Sequence, residues 1–185
     1  MLQRKPFGLC ALALVCGFGA LLLASTGTAR SGSATYQAPD DSLVRRIDRY
    51  RALTWRWQRV MSRRPMHGSS SYRTDPSRRY KRWVLDLWRV RAVRARRLAL
   101  HPPYRSAWLC IHRYEASWHD PNAPYYGGLQ MDLSFQRTYG RALFVHKGTA
   151  DHWTPLEQMW TAERAHRSGL GFYPWPNTAR YCGLI

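Results

Sequence analysis

The stretch WLCIHRYEASW (108–118), followed after a short turn by YYGGLQ (125–130), decides how this chain folds. Ser106 is placed to cap a helix running through Trp108, Leu109, Ile111 and Tyr114 to Glu115, and Asp120, Pro121 and Asn122 then read as a turn. A carboxylate at the C-terminal end of a helix faces the negative end of the dipole, and aromatic neighbours desolvate it. Both effects are expected to raise the pKa of Glu115. A carboxylic acid still protonated near neutral pH is what cleavage of a glycosidic bond requires of its general acid. Taken alone, a Glu in such a place is more commonly a solvated helix end. The second run changes that weighting: paired glycines permit close backbone approach, and tyrosines and an amide stack on and hydrogen-bond a sugar.

Outward from this region the chain changes character. It has 185 residues, 45% of them hydrophobic and 14% aromatic, with Lys+Arg 29 against Asp+Glu 11 and a formal charge of +18. That composition excludes disorder throughout and supplies a core. A multi-pass membrane protein is excluded because one long apolar stretch exists, at the N-terminus. The charge is uneven: residues 30 to 106 carry 20 basic and 5 acidic residues, whereas 107 to 185 carry 7 and 6. Basic character belongs to the middle of the chain.

Arg4 and Lys5 precede an apolar run from Phe7 to Ala24, and Gly27 and Ala29 suit the −3 and −1 positions of a signal-peptidase site. Residues 1–29 are therefore expected to be a secretory signal, or else an uncleaved N-terminal anchor, and 30–38 a linker. Either reading puts the remainder outside the cytoplasm, secreted or associated with the cell envelope. Cys10 and Cys16 fall inside the apolar run. Cys110 and Cys182 remain, and in an oxidising compartment their pairing is the default expectation. The histidines show no metal-binding spacing, so neither a metal nor a cofactor is expected.

Residues 39–104 predict a basic helical hairpin. Leu43, Ile47, Tyr50, Thr54, Trp57 and Met61 follow a 4-3-4-3-4 spacing that marks one helix face, with Asp40, Asp41 and Ser42 at N-cap positions and Pro65 ending the pattern. A second helix is announced by Asp75 as N-cap and Pro76 at the first helical position, with Leu85, Trp88, Ala92, Ala95 and Ala99 inward. The loop Gly68 to Tyr72 suggests an antiparallel pair. Arginines such as Arg45, Arg49, Arg56, Arg63, Arg78, Arg82, Arg89 and Arg96 then face outward. They are either a solvated face or an attraction to anionic wall polymers, anionic lipid headgroups or acidic groups of peptidoglycan. Nucleic acid is disfavoured, because an exported chain rarely meets it.

Residues 105–185 form the remaining unit, in which Thr154, Pro155 and Glu157 make a capping-box start, Gly169 a stop, and Asp132 or Ser134 a cap for a short helix ending near Gly140. The stretch Trp108 to Cys182 resembles the catalytic domain of the bacterial resuscitation-promoting factors, a lysozyme-like, transglycosylase-like fold acting on peptidoglycan. The likeness rests on Glu115, Trp118 and the run Tyr125 to Gln130 in order, then Thr149, Ala150, Asp151, Thr154, Gln158, Ala162, Glu163 and Arg164, and finally Gly169, Gly171, Trp175, Pro176 and Cys182. Two departures are visible. Tyr114 stands where the family commonly has a cysteine before its catalytic Glu, with Cys110 about one turn earlier, and the tail is longer.

The resemblance implies a mainly α, lysozyme-like (α+β) domain and an exported enzyme that cleaves peptidoglycan strands as a lytic transglycosylase or muramidase. Glu115 would be general acid and then base. Asp120 and Asp132, the candidates for a second carboxylate, read better as a turn residue and a cap, so a substrate-assisted route is implied. Tyr125, Tyr126 and Gln130 would contact glycan, and Trp118 and Trp153 would offer stacking surfaces, while Trp108, Trp160 and Trp175 belong to the core. Glu157 and Glu163 read as structural, through capping and ion pairing respectively. The competing reading is a non-catalytic envelope-binding protein, in which the arginine-rich hairpin holds an inert lysozyme-like module against anionic polymers.

Overall fold

A computed structural model describes residues 41–185. The expected leader, linker and Asp40 cap lie outside the described residues. The chain is mainly helical: among the described residues there are seven α-helices and one two-stranded sheet. The helices are α1 (Asp41–Val60), α2 (Arg78–Leu100), α3 (Arg105–Tyr114), α4 (Leu133–Tyr139), α5 (Arg141–Lys147), α6 (Pro155–Ala165) and α7 (Pro176–Tyr181). The strands are β1 (Tyr125–Tyr126) and β2 (Met131–Asp132), and the described residues belong to one compact unit.

The first two helices bury the faces that the periodicity marks. Leu43, Ile47, Thr54 and Met61 of α1 are buried, as are Leu85, Trp88, Ala92, Ala95 and Ala99 of α2. The outward arginines named above are exposed. Their direction corrects the expected antiparallel hairpin. Leu43, Val44 and Ile47 cluster with Val84, Leu85 and Trp88, whereas Met61 at the far end of α1 clusters with Ala99 at the far end of α2. Low-numbered ends lie together, so α1 and α2 run the same way.

The physical reason is the connection, which is a return strap. Met66 N–H donates to Gln58 Oε1 at 3.0 Å, and Trp55 Nε1 donates to the Met66 carbonyl at 3.0 Å. Arg51 then donates to the Gly68 carbonyl, and buried Tyr72 donates to Asp48 while accepting from Arg51. Residues 61 to 77 thus retrace α1. An extended chain covers about 3.3 Å per residue against about 1.5 Å in a helix, so a strap of this length has reach to spare. Burial and the hydrogen bond to Asp48 push the Tyr72 hydroxyl pKa up. The cap of α2 also differs from expectation: Ser77, two residues past Asp75, accepts from Tyr80 N–H at 3.1 Å, and Asp75 accepts from Ser77 N–H.

The rest of the chain wraps around α6, whose residues Glu157 to Glu163 are all buried. Such a helix is enclosed on every side. Trp160 packs with Met61 and Ala99, and its Nε1 donates to the Ala99 carbonyl at 2.8 Å, joining α6 to the ends of the helix pair. Trp108 and Trp175 lie in the neighbouring cluster with Ile111, Leu129, Met159 and Phe172. Cys110 and Cys182 form a disulfide that ties α3 to the segment after α7. The capping box Thr154/Glu157 is present. Glu163 makes hydrogen bonds in place of the expected ion pair: its Oε1 accepts from Tyr104 N–H at 2.7 Å and Trp108 Nε1 at 2.9 Å. Ser106 is inside α3, where Tyr104 is the N-cap.

Candidate active site

Helix α3 buries Ala107, Trp108 and Ile111 and ends at Glu115, whose N–H donates to the carbonyls of Ile111 and His112. The carboxylate of Glu115 is half-buried, and its Oε1 accepts from Thr178 Oγ1 of α7 at 2.8 Å. Thr178 is itself buried, so the second helix to frame this carboxylate comes from the extreme C-terminal end of the chain. The disulfide one turn and a half before Glu115 fastens the same two elements together.

The run Tyr125 to Gln130 is a small hairpin. Tyr125 pairs with Asp132 and Tyr126 with Met131, and Gly127 and Gln130 take the left-handed backbone, φ 73° and 45°. Its glycines serve packing within the protein. A Cβ on Gly128 would lie 2.6 Å from His112 Nδ1 and 2.7 Å from the Trp118 ring, and one on Gly127 would lie 2.6 Å from Gln158 Oε1. The close backbone approach that these glycines permit is therefore an approach of α3, Trp118 and α6. His112 Nδ1 stands 3.1 Å from the Gly128 carbonyl, one helical turn before Glu115. Trp175 Nε1 donates to the Leu129 carbonyl at 2.6 Å, one turn before Thr178. Two contacts thus place the hairpin turn beside the helix ends that carry Glu115 and its partner.

The other expected contact residues divide. Tyr125 is exposed, Tyr126 and Gln130 are half-buried, and Trp118 is half-buried with its ring stacked on His112 at 3.9 Å. Gln130 Nε2 is spent internally, donating to Asp120 Oδ2 at 2.8 Å and to the Gly127 carbonyl at 3.0 Å. Trp153 corrects the expectation of a stacking surface. It is wholly buried, packs where a Gly140 Cβ would be 2.4 Å away, and donates from Nε1 to the Gly148 carbonyl. Asp120 accepts from Asn122 and Gln130 and so holds the loop, and Asp132 caps α4 by accepting from Phe135 N–H at 2.7 Å. Neither carboxylate is given to catalysis by these contacts.

Three residues enter the site that sequence reasoning missed as structural supports: Thr178, His112 and Gln158. Gln158 carried little signal, since the helix around it already mixes Glu157, Thr161, Glu163 and Arg164 with its apolar residues. Its Nε2 lies 2.8 Å from the Trp118 carbonyl, 2.8 Å from the Ala150 carbonyl and 3.2 Å from the Trp153 carbonyl. Among the described residues, no group of three His, Cys, Asp or Glu side chains is gathered to hold a metal ion. Two clefts stand out on the surface, and neither is lined by Glu115. Comparison of the chain with family models, with curated proteins and with solved structures gives no match.

Proposed function

We propose that this chain is an exported enzyme that cleaves the glycan strands of peptidoglycan with Glu115 as its single acid and base. The observation that carries the reading is the setting of Glu115: a half-buried carboxylate at a helix end, oriented by Thr178, beside a Tyr-Tyr-Gly-Gly-Leu-Gln hairpin seated on the same helix. The resemblance to the resuscitation-promoting factors supports it, and with it a lysozyme-like identity for residues 105–185. Exposed Tyr125 and half-buried Tyr126 and Trp118 supply aromatic surface of the kind that sugar rings stack on.

In this reading the Glu115 carboxyl gives its proton to the glycosidic oxygen as the bond to the anomeric carbon breaks. The resulting carboxylate then takes a proton from the nucleophile that closes on that carbon. With Asp120 and Asp132 occupied as loop and cap groups, the nucleophile comes from the substrate or solvent. The C6 hydroxyl of the muramoyl sugar gives an anhydro end, and water gives a reducing end.

Purified sacculi are the test. Wild-type protein is expected to release muropeptides, and Glu115→Gln to release them at least about a hundredfold more slowly, the span of a lost general acid. Undiminished release by Glu115→Gln removes this residue from the mechanism, and mass spectrometry of the products separates anhydro from reducing ends. A second reading has its own observation, since the clefts named above lie away from Glu115 while the exposed arginines crowd α1 and α2. Salt-sensitive binding to sacculi with no turnover by wild type would favour a non-catalytic envelope-binding protein.

A further inference from the structure

The larger of the two clefts has a volume of about 720 Å³ and lies between the C-terminal end of α1 and the face built by α4, α5 and the start of α6. That volume is within the range of small-molecule sites. Its rim carries Arg56, Arg59, Arg63, Arg64, Arg141 and Arg164, against a single carboxylate, Glu157. Glu157 is already neutralised by Lys147, which stands 2.7 Å from it. Among the described residues, none of the six arginines has a carboxylate within ion-pair distance.

Arg164 is the innermost of them. Its Nε donates to the Tyr139 carbonyl and its Nη2 to Thr161 Oγ1 at 2.7 Å, which fixes the guanidinium, while Nη1 is buried with no partner. Burial, with Arg167 nearby, lowers its pKa to about 10, which still leaves it charged at neutral pH. The floor is apolar: Trp57, Val60, Leu143 and Leu156. Arginine forks match the oxygens of a phosphate in pairs, and a concave wall of one charge focuses its field on the space it encloses. Uncompensated like charges around a hydrophobic floor describe a binding site for a molecule that is anionic at one end and apolar at the other.

We propose that this cleft binds a phosphorylated amphiphile, with the phosphate on the arginine rim and the apolar portion on Trp57, Leu143 and Leu156. Two sources share that chemistry, a free phosphorylated molecule and a phospholipid headgroup at a bilayer surface. The site is independent of Glu115 and of glycan cleavage.

The test uses the full chain with three probes: dihexanoyl phosphatidylglycerol as a monomer, phosphatidylcholine vesicles containing phosphatidylglycerol, and inorganic phosphate, each titrated by calorimetry or sedimentation. Arg63→Glu with Arg141→Glu is expected to weaken lipid binding at least tenfold. Arg45→Glu with Arg82→Glu, the same charge change at the opposite end of the helix pair, is expected to weaken it less than twofold. Leu143→Asn should weaken binding of the monomer while leaving that of inorganic phosphate unchanged. Arg63→Gln with Arg141→Gln repeats the comparison without charge reversal, should the first pair fail to fold. Saturable binding of the monomer assigns a free ligand. Binding of vesicles alone, lost in the cleft pair and kept in the distal pair, assigns a bilayer headgroup. Binding of neither lipid, or equal losses in the two pairs, overturns the proposal. Sacculus digestion is read separately, so failure of either reading leaves the other standing.

Discussion

The helix pair and the C-terminal segment are fastened in different ways. In α1 and α2 the helical backbone satisfies itself and the two helices meet through apolar side chains, Leu43 and Ile47 with Leu85 and Trp88, while polar side chains fasten the strap that joins them. Around α6, short elements leave carbonyls and amides in loops, and buried polar side chains meet them. Gln158 reaches three loop carbonyls, Gln136 the Met131 carbonyl, Trp175 the Leu129 carbonyl, and Glu163 the Tyr104 N–H. Backbone polar groups taken out of water need partners wherever secondary structure does not supply them. A region of short elements therefore places polar residues in its core, and these residues shape the candidate site. A further support is covalent, the disulfide from Cys110 to Cys182.

The largest effect should come from that staple. Cys110→Ser with Cys182→Ser is expected to lower the unfolding free energy by about 4 kcal/mol, the chain-entropy value for a loop of this size. Urea unfolding of the two proteins measures it. A loss under about 1 kcal/mol would mean that the C-terminal segment holds itself together by side-chain packing, as the helix pair does, and the contrast would fail. The same variant should lose sacculus digestion in proportion to unfolding only, because Thr178 still reaches Glu115 in the folded fraction.

A matched pair of amide deletions sharpens the contrast directly. Gln58 in the helix pair accepts one backbone hydrogen bond, from Met66 N–H, at a half-buried position. Gln58→Ala is expected to cost about 1 kcal/mol. Gln158 is wholly buried, and Gln158→Ala leaves the carbonyls of Trp118, Ala150 and Trp153 without it, for a cost of about 3 kcal/mol. Amide hydrogen exchange should also rise at Gly127 and Gly128 in the second variant, since that turn rests on Gln158. Equal costs in the two variants would erase the distinction between the regions.

How much of this was legible follows the same division. The buried faces of α1 and α2 could be read because helical periodicity is local, and the capping box of α6 because its partners are three residues apart. The parallel direction was not, because it rests on contacts such as Tyr72 with Asp48 across the return strap. Loop composition around Gly68 says that the chain turns, without saying how far it travels. In the site, the place of Glu115 at the end of α3 was legible from the aromatic and aliphatic pattern before it. Thr178 was not, since it lies 63 residues away and reaches Glu115 only when α7 folds back. Trp153 was misplaced for a related reason: the space for its ring is made by Gly140 in another element.

The smallest predicted effect separates the helix caps of the two regions by their response to pH. Burial alone would push the Glu157 carboxyl up, but hydrogen bonds from Lys147 and from Thr154 outweigh it and hold the pKa below the ordinary 4.5. A carboxylate depressed in the folded state contributes stability that is present above its unfolded pKa and lost as pH falls through the folded one. At pH 7, Glu157→Gln is therefore expected to cost about 1 kcal/mol, from the lost charge pair with Lys147, since a Gln at this place can still accept from the Thr154 N–H. The gap to wild type should close as pH drops below 4.5. In the helix pair, α2 is capped by the Ser77 hydroxyl, which does not titrate. Ser77→Ala should cost about 1 kcal/mol at pH 7 and the same at pH 3. Urea unfolding of both variants at the two pH values checks this. A Glu157→Gln gap that persists at pH 3 would show that the C-terminal cap works through shape alone, like its counterpart in α2.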